Sequence, residues 1–429
     1  MKYLALAIVL FAVMNSFAQP VEMNIMRMRY GNDNPYLTAR SLGLAGAGIA
    51  GDDRYASVLL NPALTAYSES WLQFNTGIAI HKLEEDRSYP YYDNFGGFVD
   101  YGSYVFNKYW YSKFYGVISS RLPFDNLMDL SVTTGFIPFK DFDYDYLEEV
   151  RSDYYGDELL GYNQWRSDGE IYAIPLNVAF KPVVLGILDQ EFSLAFGIGA
   201  KILTGSIEQM KKVETKTASL SGRDYELNFK KDVDNMPVIP SVGLKMNFGK
   251  RFSFGASIDL PYDIEFKNKT TGPDSSMVVA KEKLSYPMRL KFGTEYRFQN
   301  ILEARIFTDF IYTFWEDFED YQNEDISFDD TYNVRAGIEH IFFNKVPFRV
   351  GFDYGTLRES KNYSQTLLSA GTGLMVENIH IDMAGGISSL KYKQGDLFDD
   401  AIYNMETRSE LDQVRWNHFY GRIDINYAF

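Results

Sequence analysis

The sequence predicts an all-β protein: a transmembrane antiparallel β-barrel of about fourteen strands, with an N-terminal plug that contains short helices. Three observations predict this class. Apolar and polar residues alternate with a period of two from Trp71 to the C-terminus. The chain contains 33 Phe and 32 Tyr among its 429 residues. Its mean hydropathy is −0.24, which is too low for a bundle of apolar membrane helices.

The abundance of Phe and Tyr is typical of barrels, which place aromatic rings in girdles at both membrane interfaces. The rest of the composition argues against several classes of function. The net charge of −16 argues against nucleic-acid binding, which requires basic patches. The chain has no cysteine, so disulfides, thiol catalysis, thiolate metal sites and lipoprotein anchoring are not expected.

Residues 1–18 have the pattern of a secretory signal peptide. Lys2 precedes an apolar run over residues 3–14, and Ser16-Phe17-Ala18 is a small-x-small cleavage site. The apolar run is too short to cross a bilayer as a helix. The mature chain is therefore expected to begin near Gln19.

Residues 19–70 lack the alternating pattern, and we assign them to an N-terminal hatch, or plug, with the barrel formed by residues 71–429. The stretch 38–65 is rich in Ala and Gly, which allows close packing of backbone against backbone. Asp52 or Asp53 can cap a helix over residues 54–60, and Pro62 ends it. An exposed linker is the alternative, but a linker rarely contains a capped apolar helix.

Fourteen segments alternate as strands do. They span residues 71–83, 112–121, 128–142, 170–182, 191–210, 237–248, 251–268, 279–297, 301–315, 331–342, 346–357, 363–375, 378–393 and 415–428. Residues 95–107 and 223–230 are ambiguous and could change the number. Short turns, such as Gly249-Lys250, alternate with long polar loops, as in barrels with short periplasmic turns and long external loops.

The hatch resembles a known family. ARSLGLAGAGIAGDD at 39–53 and SVLLNPALTA at 57–66 are similar to the start of the FadL-like outer-membrane transport family. YPMRLKFGTEYRF at 286–298 and the strands after it resemble later strands of that family. The resemblance implies a channel in the outer membrane of a Gram-negative bacterium. It would take up hydrophobic or amphipathic molecules passively, long-chain fatty acids or aromatic hydrocarbons among them.

The resemblance also implies site residues and partners. Asn61, Pro62 and Ala63 would form the hatch or gate. The expected partners are a hydrophobic small-molecule ligand, outer-membrane lipids and the barrel-assembly machinery, with no nucleic acid. The alternative is a PorV-like barrel, a protein-interaction or shuttle component that would bind secretion-machine proteins of type IX secretion.

The segment 128–142 contains Gly135 and Pro138 inside an otherwise regular strand. Proline has no N–H to donate to a sheet, and glycine permits a bend. An unpaired backbone group within a bilayer is tolerated only against protein or water. We therefore expect a lateral opening at Gly135, Pro138 and Phe139, with a simple β-bulge as the alternative. Relative to the family, Lys140 stands where glycine is common.

Alternation also assigns charged residues to the lumen, because a charge facing lipid at mid-depth costs about 2–4 kcal/mol. Arg289, Lys291, Arg305 and Arg335 could form a clamp for a ligand carboxylate. Alternatively, the charges could brace the wall through salt bridges, with Arg335 paired to Glu303 or Glu339. Their mixed signs favour the brace. The predicted lumen charges are Arg289, Lys291, Glu303, Arg305, Asp309, Arg335, Glu339, Arg349 and Asp353.

No catalytic or metal-binding motif is apparent. The acidic run from Asp141 to Asp145 lacks the Gly and Glu of a calcium-binding EF-hand, with Tyr146 and Ser152 at those positions. The four histidines lie on separate predicted strands without ligand spacing, and no nucleophile elbow is present. We therefore expect no enzymatic activity, no cofactor and no metal site, with a lipase-type enzyme in the barrel wall as the weaker alternative.

Overall fold

The computed structural model describes residues 21–429 apart from 69, 94, 125–127, 153–157, 182–184, 188–189, 274–275, 300–303, 343–345, 407 and 409. The predicted signal peptide and Glu303 lie outside the described residues. No helix among the described residues is long and apolar enough to cross a membrane.

The N-terminal segment, defined here as residues 21–68, contains two short helices, α1 (Met23–Tyr30) and α2 (Ala39–Gly43). Strand β1 (Asn32–Asp33) lies between them, and two 3₁₀ turns follow, Ala56–Val58 and Pro62–Tyr67. The predicted helix over 54–60 was wrong in type and length, because only one 3₁₀ turn forms there. Asp53 does cap it, accepting hydrogen bonds from the backbone N–H groups of Tyr55 and Ala56 at 3.1 Å.

The strands of the first half of the barrel are β2 (Gln73–Tyr92), β3 (Phe98–Phe124), β4 (Met128–Asp141), β5 (Tyr144–Arg151), β6 (Leu159–Lys181), β7 (Leu185–Ile187), β8 (Gln190–Thr215), β9 (Tyr225–Val233) and β10 (Val238–Phe248). Of these, β2, β3, β6 and β8 are longer than the predicted segments. Those of the second half are β11 (Phe252–Asp259), β12 (Tyr262–Thr271), β13 (Met277–Tyr286), β14 (Arg289–Arg297), β15 (Arg305–Thr313), β16 (Glu319–Asp320), β17 (Thr331–Phe342), β18 (Val346–Leu357), β19 (Ser360–Val376), β20 (Ile379–Gln394) and β21 (Asp412–Ala428). Three further 3₁₀ turns lie in the connections, at Ala218–Leu220, Trp315–Asp317 and Asp400–Tyr403.

The described strands close into an antiparallel barrel of fourteen, which confirms the predicted fold class. Closure occurs at β2, which pairs with β3 on one side and with β21 on the other. Several barrel strands consist of two consecutive pieces, such as β4 with β5 and β9 with β10. The two ambiguous stretches lengthen β3 and form β9, and neither adds a strand to the fourteen.

The outer surface carries an apolar belt. On β8, Phe196, Ile198 and Ile202 are exposed, whereas Lys201 and Leu203 on the inner face are buried. Further along the same strand the outer face becomes polar, with Glu208 exposed. Such a belt on a closed barrel is the surface that a bilayer covers. The long connections lie beyond the polar end of the belt, and the turn after β10 lies at the opposite end.

Candidate functional site

The N-terminal segment packs against the inner face of the wall along a ring of glycines. A Cβ atom at Gly197, Gly243, Gly255 or Gly351 would overlap atoms of the segment. At Gly351 the overlap would be with the backbone of Leu44 and Ala45. The missing side chains therefore let the segment's backbone lie directly against the strands. Alternation places Gly351, and Gly337 beside Leu44, on the same face as the predicted lumen charges, but it does not reveal that the segment packs there.

Asn61 joins the segment to the wall. Its side chain accepts a hydrogen bond from the Ala63 N–H at 3.0 Å and so caps the second 3₁₀ turn. The same amide donates to the Ile49 carbonyl at 3.0 Å and to the Leu244 carbonyl of β10 at 3.1 Å. Pro62 and Ala63 lie against Gly197 of β8. The three residues thus form one contact with the wall, and a gating role for them stays a prediction.

The described lumen charges have ion-pair or hydrogen-bond partners inside the protein. Arg349 lies 2.8 Å from Glu339, and Lys291 lies 2.7 Å from Asp259. Asp309 accepts hydrogen bonds from the backbone N–H groups of Gly48 and Ile49. These contacts favour the bracing role over a free carboxylate clamp, because each charge already has a partner.

Two of the lumen arginines connect the wall to the N-terminal segment. Arg335 was expected to pair with Glu303 or Glu339, but it pairs with Asp353 at 3.0 Å and also donates to the Gly46 carbonyl. Arg305 pairs with Asp52 of the N-terminal segment at 2.7 Å. The wall charges therefore hold the segment as well as one another.

The N-terminal segment separates two cavities. The upper cavity, on the side of the long loops, has a volume of about 280 Å³, and Asp33, Pro138, Phe139, Arg289, Lys291 and Arg335 are among its lining residues. The lower cavity, beside Gly249 and Lys250, has a volume of about 500 Å³, and Arg305 lines it together with Glu339 and Arg349. The four predicted clamp residues, Arg289, Lys291, Arg305 and Arg335, therefore do not share one cavity.

The wall is interrupted where the sequence predicts a kink. The ladder between β3 and β4 ends at the pair Gly116–Phe136. Beyond it Ile137, Phe139 and Lys140 are all buried, so the strand has lost its alternation and turned inward. There β4 pairs instead with β1 of the N-terminal segment, and its register against β6 shifts between Pro138 and Lys140. The register shift against β6 is a β-bulge at Phe139. On the other side of β4, the ladder with β3 is also broken.

Side chains, not backbone, join β3 to β5 beyond the interruption. The Asn107 amide, oriented to satisfy both groups, hydrogen-bonds the backbone of Leu147 at 3.1 and 3.2 Å. Tyr111 donates to Asp145 at 3.0 Å, and Lys113 lies 2.6 Å from Asp143. The backbone break thus separates the part of β3 before Gly116 from the part of β4 after Phe136, beside the Pro138 and Phe139 lining of the upper cavity.

Among the described residues, His81, Asp141 and Asp143 form a group that could hold a metal ion. The His81 Nε2 atom lies 3.8 Å from Asp141 and 3.7 Å from Asp143. Arg27 pairs with Asp141 and Lys113 with Asp143, so the protein's own cations already balance both carboxylates. The sequence alone does not predict this group, because His81 reaches the end of β4 only through the pairing of strands.

A buried carboxyl lies beyond the apolar belt. Glu148 on β5 accepts hydrogen bonds from Asn163 at 2.9 Å and from Tyr146 at 3.1 Å. Strand β5 pairs with the first residues of β6, from 159 to 167. That part of β6 in turn pairs with the end of β8, where the side chains on the outer face are polar. Burial, with the Asp396 carboxylate nearby, raises the pKa of Glu148 to about 7 despite these hydrogen bonds.

The fold resembles that of solved membrane channels. It matches a FadL homologue of Pseudomonas aeruginosa with a TM-score of 0.59 and 12% identity, over 93% of this chain and 100% of that one. It matches the Ralstonia pickettii toluene transporter TbuX with a TM-score of 0.57 and 14% identity, over 91% and 98% of the two chains. It matches the Pseudomonas putida toluene transporter TodX with a TM-score of 0.59 and 12% identity, over 92% of this chain and 99% of that one. No protein-family model and no curated protein matches the chain. At these identities the resemblance establishes a shared fold.

Proposed function

We propose that the protein is an outer-membrane channel for the passive uptake of hydrophobic or amphipathic small molecules. One observation carries the proposal: β4 leaves β3 after the pair Gly116–Phe136, directly beside the upper cavity. An unpaired strand edge is stable in a bilayer only against protein or an opening. The shared fold with a FadL homologue and two toluene transporters supports the same conclusion.

The pathway begins at the end of the barrel that carries the long loops. A ligand enters the upper cavity, where Phe139 and Leu367 offer apolar surface and Arg289 and Lys291 offer charge. It then leaves sideways through the break between β3 and β4. The N-terminal segment, including Asn61, Pro62 and Ala63, acts as the hatch that keeps the route to the lower cavity closed. Transport is diffusive and uses no chemical energy.

Long-chain fatty acids and aromatic hydrocarbons are the ligand classes that fit best. Their apolar bodies can pass a gap that faces the acyl chains of the membrane. The apolar belt contacts the lipids of a Gram-negative outer membrane, and the barrel-assembly machinery inserts the chain there. The protein performs no catalysis in this function and needs no cofactor.

The test is transport by the full chain in lipid vesicles. Vesicles with the protein should take up dodecanoate and toluene several times faster than empty vesicles, with no increase for sucrose. Native mass spectrometry of the detergent-purified protein should reveal a bound lipid. Equal uptake by both kinds of vesicle, with no bound lipid, would refute the channel. Such a result would favour the protein-interaction alternative.

A further inference from the structure

Four cations from four parts of the wall converge on residues 31–34 of the N-terminal segment. Lys140 lies 2.6 Å from the Asp33 carboxylate, and Arg289 pairs with the other oxygen of that carboxylate. Arg358 donates to the Gly31 carbonyl at 3.0 Å. Arg422 donates to the Asn34 side-chain oxygen at 2.7 Å. Residues 31–34 contain one carboxylate, that of Asp33.

This part of the upper cavity has more positive than negative charge. Next to Arg289 in the wall, Asp259 pairs with Lys201 at 2.9 Å and Lys291 at 2.7 Å. The Asp33 and Asp259 carboxylates thus each bridge two cations. The Arg358 guanidinium forms an ion pair with the Glu359 carboxylate at 3.0 Å. Asp259 belongs to a barrel strand that is paired on both sides, so its position is fixed. Asp33 belongs to a two-residue strand with a partner on one side.

We propose that Asp33 occupies the place of the ligand's own anionic headgroup. The ligand class is an amphipathic anion, with a carboxylate or phosphate on an apolar tail, and this assignment rests on the proposed function. The ligand anion replaces Asp33 at Lys140 and Arg289, so the two cations keep a counter-charge throughout. A buried cation without a counter-charge is strongly destabilising, which is why a neutral ligand cannot make the exchange.

The exchange would also loosen the kinked strand. Residues 32 and 33 form the whole ladder between β1 and β4, and the Asn34 N–H donates to the Phe139 carbonyl at 3.0 Å. A ladder of two residues is weak without the ion pair beside it. Releasing Asp33 therefore loosens residues 32–34 from the strand that borders the break, while the contacts of Arg358 with Gly31 and of Arg422 with Asn34 remain. Binding of the ligand's headgroup would therefore loosen the strand at the break through which the ligand leaves.

The experiment measures access to residue 32. The chain has no cysteine, so Asn32→Cys introduces a single thiol beside Asp33 and lining the upper cavity. The full chain in detergent micelles is labelled with a methanethiosulfonate reagent. Dodecanoate or dodecyl phosphate should accelerate labelling at least tenfold, whereas dodecanol should not. Comparing the two anions at equal concentration shows which headgroup the site prefers.

A second variant tests the role of Asp33 itself. Asn32→Cys with Asp33→Asn should label rapidly without any ligand, because the neutral amide no longer holds Lys140 and Arg289. The matched control is Asp52→Asn in the same thiol background, since Asp52 lies on the same segment and pairs with Arg305 in the lower cavity. The control should label slowly. An equal rate in both variants would mean that any lost charge frees the segment and would overturn the assignment.

Calorimetry separates this inference from the proposed function. Dodecanoate that binds without changing the labelling rate would overturn the headgroup exchange and leave the channel intact. Acceleration by dodecanol equal to that by dodecanoate would also overturn it. No binding of dodecanoate, dodecanol or toluene would instead count against the proposed function. Should Asp33→Asn fail to assemble, the ligand titration on Asn32→Cys alone decides.

Discussion

The Lys140 ammonium lies 2.6 Å from the Asp33 carboxylate, and this pair joins the N-terminal segment to the strand that bends into the barrel. Both residues also lie in the short ladder between β1 and β4. The pair is inside the barrel, with the Lys140 side chain only 1% exposed. The position of the segment and the shape of the break in the wall are therefore coupled through one contact.

Pro138→Val should close the break. Valine restores the N–H that proline lacks, so the pairing of β4 is expected to extend beyond Phe136. Uptake of dodecanoate into vesicles should fall at least tenfold while the barrel still assembles. Gly135 must be left unchanged, because a Cβ there would overlap the Gly116 carbonyl oxygen and push the strands apart.

The matched control for this substitution is Pro240→Val. Pro240 lies within β10, far from the break, where the ladder with β8 runs past it on both sides and the ladder with β11 begins at the next residue, Ser241. Its replacement should leave uptake unchanged. Normal uptake by an assembled Pro138→Val protein would show that ligands do not leave through this break.

Gly351→Ala should displace the hatch. The added methyl would overlap the backbone of Leu44 and Ala45, which the segment cannot avoid while α2 stays against the wall. We expect a larger ion conductance in planar bilayers than for the unchanged protein. Gly385→Ala on β20 is the control, because its nearest neighbour, the Tyr420 carbonyl oxygen, would be 3.6 Å away. Unchanged conductance in both variants would argue against a hatch role for the segment.

Arg335→Met should lower stability. The Arg335 and Asp353 side chains are 5% and 8% exposed, so the substitution leaves a buried carboxylate without its cation. The expected loss in the free energy of unfolding is about 3 kcal/mol. Urea unfolding in detergent micelles measures it, and dodecanoate affinity should change little if the bracing role is right.

Arg166→Met serves as the comparison for Arg335. Its side chain is 55% exposed and pairs with Asp145 and Asp168 at 3.5 Å. An exposed pair of this kind contributes less than about 1 kcal/mol. If Arg335→Met instead weakens dodecanoate binding and leaves stability intact, Arg335 belongs to the ligand clamp.

Glu148 should make stability depend on pH. Its pKa rises from 4.5 to about 7 in the folded chain. Between these values the folded state holds a proton that the unfolded state has lost, so the free energy of unfolding falls as the pH rises. The fall approaches about 3 kcal/mol by pH 8, at roughly 1.4 kcal/mol per pKa unit. Urea unfolding at pH 5 and pH 8 measures it.

Glu148→Gln should remove this dependence, since glutamine keeps the hydrogen-bonding shape and does not titrate. The neighbouring Glu149, 52% exposed, provides the control, and Glu149→Gln should behave as the unchanged protein does. A pH dependence that persists in Glu148→Gln would place its origin in other carboxyl groups, such as Asp400 in the loop after β20.

The sequence by itself determined the class of fold and the two faces of the wall. Alternation with a period of two is a local property, so it places Arg335 and Glu339 inside and Ile338 outside without knowledge of the neighbouring strands. It also locates the kink, because the missing N–H of Pro138 is local. The lengths of the strands beyond the membrane were harder to predict, since polar residues there face water on one side.

Only the tertiary structure decided which of these residues meet. Asp33 and Arg289 are 256 residues apart, and no local pattern relates them. The partner of Arg335 depends on the register between β17 and β18, which pairs it with Asp353 instead of Glu339. The ring of glycines becomes a contact surface only when the N-terminal segment packs against it. Such contacts follow from closure of the barrel and packing of its interior, which are properties of the whole chain.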